Sequence, residues 1–183
     1  LADCGQRPIK YKPDGTPERI CDNYVYIPNI RVAAPIVYTK SPNEAEINAD
    51  LLKGVVHYPG TAEPGQKGNV FLTGHSSYYW WVQTEYRNVF ALLPQLITGD
   101  EIIVYNKGIR YTYKVYGELE VPPTETSVLR PTTEPELTLS TCVPLGTSYR
   151  RHIVRAKQVS PNPASARPAS NQNITTGRLP GVR

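Results

Sequence analysis

The stretch Glu101-Ile102-Ile103-Val104-Tyr105-Asn106-Lys107-Gly108-Ile109-Arg110-Tyr111-Thr112-Tyr113-Lys114-Val115-Tyr116 decides the fold class. Tyr111, Tyr113 and Val115 alternate with Thr112 and Lys114, the period of two that sends successive side chains to opposite faces of a strand. Asn106-Lys107-Gly108 supplies a turn, so residues 101–121 read as a β-hairpin. Upstream, Val25, Ile27 and Ile30, then Val32 and Pro35-Ile36-Val37-Tyr38, read as two short strands broken by Pro28 and Pro35, residues suited to edges or bulges. Further strands are expected over 55–58, 69–76, 137–142 and 151–159. Ser41-Pro42-Asn43-Glu44 carries a capping Ser, a Pro at the first helical position and a Glu three residues on, which predicts a helix over 42–53 ending at Gly54. A second short helix is expected over 89–96, packing Phe90, Leu92 and Leu93. Many short strands, two short helices and no internal repeat predict a mainly β protein, a closed barrel of about eight strands.

Length and charge narrow the possibilities. A chain of 183 residues suits one domain plus tails. Residues 1–22 read as an N-terminal arm or linker, 23–159 as the barrel domain, and 160–183, rich in Pro, Ser and Asn, as a disordered tail. The net charge of +4, 20 basic against 16 acidic residues, is scattered apart from Arg150, Arg151 and Arg155, which argues against nucleic-acid binding. No run approaches the roughly 18 to 20 apolar residues of a membrane span. Thirteen Tyr and eighteen Pro against two Phe and no Met suit short strands and many turns. Of three cysteines, Cys4 and Cys21 bracket the arm, where a bridge in an oxidising compartment and two unpaired thiols in a flexible leader fit the sequence equally well, and Cys142 stands apart. Because of that bracket, the arm is expected to fold over the functional groove and lower activity.

In Glu136-Leu137-Thr138-Leu139-Ser140-Thr141-Cys142, the strand period places Thr138, Ser140 and Cys142 on a polar face opposite Leu137, Leu139 and Thr141. A lone Cys is most often a small buried apolar residue. Two neighbours change the balance. Arg150 and Arg151 return into the next strand, and a guanidinium beside a thiol favours the thiolate. His75 ends the strand Asn69-Val70-Phe71-Leu72-Thr73-Gly74-His75, where Gly74 permits close backbone approach.

At these residues the chain resembles the sortases, with motifs most similar to classes C, D and E. That family has a His after an apolar strand, a Thr-Leu-x-Thr-Cys strand some sixty to seventy residues later, and an Arg early in the next strand. Here these read Thr73-Gly74-His75, Thr138-Leu139-Ser140-Thr141-Cys142 and Arg151-His152-Ile153-Val154. Gly54-Val55-Val56-His57-Tyr58-Pro59-Gly60-Thr61 extends the likeness, which covers about residues 24 to 159. The family pattern selects Arg151 over Arg150.

The resemblance implies a sortase-type barrel and a cysteine transpeptidase. Cys142 would attack the Thr-Gly bond of a Leu-Pro-x-Thr-Gly-like sorting signal to form a thioester, His75 would be the general acid and base, and Arg151 would steady the oxyanion or the substrate backbone. Ser140, Thr141 and Ser76, beside Cys142 and His75, are expected to touch substrate. The implied partners are the sorting signal of a surface protein and an amine, from a cell-wall precursor or a pilin Lys. The implied location is the outer face of a bacterial membrane, with attachment through a segment outside this chain. No cofactor and no metal are expected, since Glu63 stands nearly alone in the loop before the His75 strand and calcium is not carried over.

Ser76-Ser77-Tyr78-Tyr79-Trp80-Trp81 could wall the groove or simply pack on the surface. His57 and His152 are read as structural. Leu179-Pro180-Gly181 echoes part of a sorting signal without its Thr-Gly and is set down to chance. Rival readings are a metal site of Cys142, His75 and His57, an L,D-transpeptidase, whose Ser-His-Gly-Cys cluster is absent, and a noncatalytic β-barrel surface binding module.

Overall fold

The computed structural model describes every residue except Asp3, Gln6, Ser170, Asn171, Thr175, Val182 and Arg183. Eight strands, β1 (Tyr24–Ile27), β2 (Val32–Tyr38), β3 (Val55–His57), β4 (Gly68–Thr73), β5 (Glu101–Asn106), β6 (Ile109–Val121), β7 (Pro135–Val143) and β8 (Arg150–Ser160), close into a barrel. The order around it is β1-β2-β3-β4-β7-β8-β6-β5. The β2/β3 and β4/β7 pairs are parallel and the rest antiparallel. The expected β-barrel is therefore the observed fold. Closure satisfies every strand's backbone, which an open sheet of this size would leave exposed at two edges.

The hairpin forms for the reason its sequence suggests. Lys107 and Gly108 both take positive φ, 53° and 77°, the turn that matches the right-handed strand twist, and Asn106 pairs with Ile109. Pro28 ends β1 and opens a 3-10 turn over Pro28–Ile30. Pro35 does not break β2. It sits where pairing passes from β1 to β3, since Tyr24 is its last partner across β1 and Ile36 begins the register with Val55.

Helix α1 (Glu44–Leu51) is capped by Asn43, whose side chain accepts from the Ala45 N–H, two residues later than the expected Ser41. Glu44 and Glu46 favour its N-terminal turn electrostatically. The second expected helix, over 89–96, is instead a series of turns with one 3-10 turn at Leu93–Gln95. Pro94 lacks the N–H that an α-helix would need, and only Phe90, Leu93 and Leu96 of this segment are buried.

Two apolar clusters flank the barrel wall. The interior is filled by Val25, Val70, Leu72, Leu137, Leu139, Val154 and their neighbours. Outside the wall, Ile47 and Leu51 of α1 pack with Val56, Phe71, Cys142, Ile153, Val121, Val128 and Leu129. The face of β7 that reads as polar is therefore buried too. Asn69 secures this outer layer, donating to the Val128 carbonyl (2.8 Å) and accepting from Thr138 Oγ1 (2.7 Å).

The arm lies on the opposite wall from β7, which is a correction to the expectation that it covers the groove. A Cys4–Cys21 disulfide closes it, and Ile9 and Cys21 pack against Tyr24 and Tyr26, with Tyr105 at the edge. Tyr24 donates to the Gly5 and Arg7 carbonyls and Tyr11 to that of Val32. The outward Tyr of β1 supply the apolar rings and hydroxyls that such a segment needs.

Residues 160–183, expected as a disordered tail, lie against the barrel where they are described. They have no core of their own, yet they use the barrel's. Arg167 bridges Gln66, donating to the Gly65 carbonyl and accepting from Lys67 N. Ile174 and Leu179 join the outer cluster, Leu179 as a fully buried side chain.

Candidate active site

Strands β4 and β7 run parallel in register, with Phe71 opposite Thr138, Leu72 opposite Leu139 and Thr73 opposite Ser140. The track continues beyond β4. Gly74 N donates to the Ser140 carbonyl (3.1 Å), and Thr141 Oγ1 donates to the Gly74 carbonyl (2.8 Å), which carries His75 to the level of Cys142. Gly74 is required there, because a Cβ would stand 2.7 Å from the Phe90 ring and 2.9 Å from Val89. Phe90 N then holds the His75 carbonyl at 2.8 Å. On the other side, the antiparallel β7/β8 register sets Cys142 opposite Arg151 and Val143 opposite Arg150. Opposed residues share a sheet face, so Arg151 is the arginine beside the thiol. Arg150 is exposed and pairs with Glu120 at 3.5 Å.

All three side chains are sealed from solvent: His75 is 1% exposed, Cys142 4% and Arg151 0%. Cys142 takes no part in a disulfide. Burial pushes the His75 imidazole down to about 4, so it is neutral at pH 7. Neither of its ring nitrogens has a hydrogen-bond partner among the described residues, and the Tyr78 ring packs on it at 4.5 Å between centroids. Burial also pushes the Arg151 guanidinium below its ordinary range, a tendency that the opposing charge of Cys142 resists. Carbonyl oxygens offset the desolvation: Nη1 donates to Ser148 (2.9 Å) and Arg150 (3.0 Å), and Nε donates to Pro180 (2.7 Å). A neutral imidazole and a guanidinium thus stand on the segments that flank Cys142 on either side.

The other predicted residues divide. Ser140 and Ser76 are buried with hydroxyls that have no partner among the described residues, and the Thr141 hydroxyl is committed to the Gly74 carbonyl. His57 donates from Nε2 to the Ala62 carbonyl (2.8 Å), and His152 lies 3.2 Å from the Glu118 carboxylate. Among the described residues no three His, Cys, Asp or Glu side chains gather closely enough to hold a metal, so Cys142, His75 and His57 form no ligand set. Tyr78, Tyr79, Trp80 and Trp81 line a surface cavity of about 430 Å³ with Ser77, Gly146 and Thr147, and Gly146 N donates to Ser77 Oγ (3.0 Å). Sequence reasoning missed the participation of Leu179 and Pro180. The Leu-Pro-Gly echo was the available signal, but nothing local ties it to Arg151.

The family profile described as Sortase domain matches residues 25–159. Among curated proteins, the chain is 30% identical to sortase D of Bacillus subtilis over 138 residues, covering 73% of this chain and 62% of that protein. It is 31% identical to a sortase of Streptomyces coelicolor, covering 77% of this chain and 41% of that one. The chain thus spans less than two thirds of the length of these relatives. Among solved structures, sortase C-1 from Actinomyces oris superposes with a TM-score of 0.63 at 31% identity, covering 74% of this chain and 72% of that one. Sortase A from Corynebacterium diphtheriae, in a lid mutant, gives 0.64 at 28%, covering 77% and 71%.

Proposed function

The chain belongs to the sortase family, and on that premise we propose that it is a cysteine transpeptidase with Cys142 as nucleophile, His75 as general acid and base, and Arg151 as the fixed cation. The observation that carries this is the shared register: β4 brings His75, and β8 brings Arg151, to the same point of β7, where Cys142 stands. The substrate is a Leu-Pro-x-Thr-Gly-like sorting signal. The Cys142 proton passes to neutral His75 as Sγ adds to the Thr carbonyl carbon. The C–N bond to Gly then breaks, His75 gives that proton to the departing amine, and a thioester remains. An incoming amine adds to the thioester and loses its proton to His75, and the thiolate leaves as the new amide forms. Arg151 donates to the oxygen on which charge develops or to the neighbouring peptide backbone.

The acceptor is a cell-wall precursor amine or a pilin Lys, and the setting is the outer face of a bacterial membrane. No helix among the described residues is long and apolar enough to cross a membrane. Intact-protein mass spectrometry tests the reaction. With a Leu-Pro-x-Thr-Gly peptide, the expected result is an added acyl mass on the wild type, lost on addition of an amine with release of the joined product, and absent in Cys142→Ala. No acyl mass and no product across a panel of signal variants would overturn the assignment in favour of a noncatalytic barrel.

A further inference from the structure

Part of the C-terminal chain lies against Arg151 and shares the apolar layer of Cys142. After β8 the segment returns along the outer wall. It is fixed at Arg167 beside Gln66, passes Gly60 at Asn173 and Ile174, and ends over β7 and β8. There Leu179 enters the apolar layer that contains Cys142, Ile47, Tyr58 and Val121, and is 1% exposed. Its N–H donates to the Pro123 carbonyl at 2.7 Å. The next carbonyl, that of Pro180, accepts from Arg151 Nε at 2.7 Å. At Gly181 a Cβ would fall 2.3 Å from Arg151 Nη2, so the absence of a side chain is what lets the backbone lie this close to the guanidinium. A cavity of about 230 Å³ between α1 and this segment, lined by Pro42, Glu44, Ile47 and Tyr58, continues the same groove.

We propose that residues 176–181 are an intramolecular ligand of the active site, in which Leu179-Pro180 occupies the groove that receives the Leu-Pro of a sorting signal and keeps the site closed until it is displaced. The inference rests on the sorting-signal reading for what it displaces, but not for the closure itself. Three features of peptide recognition meet in the segment: an apolar side chain in a pocket, a backbone hydrogen bond beside it, and a carbonyl on a fixed cation. Leu179 and Pro180 fill the groove beside the Arg151 Nε–H, so a signal peptide cannot lie in that groove while they are in it. The two peptides therefore compete, and the tether gives the segment a high effective concentration that a free peptide must overcome.

The test reads the thiol and the substrate separately. Full-length Leu179→Asp is compared with wild type for the alkylation rate of Cys142 by iodoacetamide, with circular dichroism confirming the fold. Losing the burial of one leucine shifts such an equilibrium enough for a roughly tenfold or greater rise in rate. A synthetic peptide with the sequence of residues 174–183 should restore protection to the variant, and the same peptide with Asp in place of Leu179 should not. If Leu179→Asp does not fold, Gly181→Ala presses only on the contact with Arg151 and should raise the rate by a smaller factor. An unchanged rate in a folded variant overturns the closure, whether or not a signal peptide is turned over. A raised rate with no turnover of Leu-Pro-x-Thr-Gly peptides by any form upholds the closure and removes the sorting-signal reading. A raised rate with faster peptide turnover, chiefly through a lower KM, upholds both.

Discussion

The N-terminal arm and the C-terminal segment both lie outside the sortase-matched residues 25–159, and neither has an apolar core of its own, yet the barrel holds them in different ways. The arm is fastened covalently by Cys4–Cys21 and lies on tyrosines of β1, across the barrel from the thiol. The C-terminal segment is held near the site by one buried leucine and a few hydrogen bonds, two of them to the Pro123 carbonyl and from Arg151. A covalent clasp suits a permanent brace, whereas a reversible set of contacts suits a part that has to leave. The comparison also shows why a pair of cysteines is a poor guide to what covers a groove. A disulfide constrains the unfolded chain wherever it lies, and its position says nothing about the reacting groups.

The largest expected effect is at Arg151, which holds the Pro180 carbonyl and is the cation of the proposed reaction. Arg151→Ala should lower kcat with a sorting-signal peptide by a factor of about 10² to 10³, the usual loss of one transition-state donor. A kcat close to that of the wild type would remove Arg151 from the reaction and leave it only as the anchor of the Pro180 carbonyl. Next is the arm. Removing the disulfide with Cys4→Ser and Cys21→Ser should cost about 3 kcal/mol in denaturant unfolding, the chain-entropy estimate for a loop of this size. The alkylation rate of the folded protein should stay unchanged. If it rose with loss of the disulfide, the arm would share in the covering and the contrast would fail.

Asn69→Ala removes the amide that joins β4 to the Val128 carbonyl and to Thr138, and should cost about 1 to 3 kcal/mol in thermal or denaturant unfolding. The smallest effect is that of acid. His75 titrates near 4 in the folded chain against an ordinary value of 6.5, because burial opposes its charge. The unfolded chain therefore binds more protons below 6.5, and the contribution of His75, present above that pH, is lost as the pH falls toward 4. His57 and His152 are pushed in the same direction, so the comparison is between wild type and His75→Gln. The wild type should lose more Tm between pH 7 and pH 5 than the variant does. Equal losses would show that His75 is not desolvated in the folded protein.

Much of the fold was legible because strand periodicity is local. The alternation around Tyr111 and Tyr113 and the Lys107-Gly108 turn specify the hairpin before any tertiary contact exists. The reading erred where tertiary packing outweighs local pattern. Phe90 and Leu93 have helical spacing, but Pro94 and the need to fill the space beside Gly74 turn that segment into irregular turns. The Thr138, Ser140 and Cys142 face looked polar, although Asn69, α1 and the residues after β6 bury it.

The sequence by itself determined the barrel and singled out Cys142, His75 and Arg151 as candidates, since strand period, order and flanking pattern reside in the chain. Only the tertiary structure decided that the arm lies against the far wall, that Leu179 enters the apolar layer of Cys142 and that the Pro180 carbonyl meets Arg151. Burying a side chain depends on which surface it meets, and Arg151 and Pro180 become neighbours only after the barrel has closed and the last residues have run back along its wall.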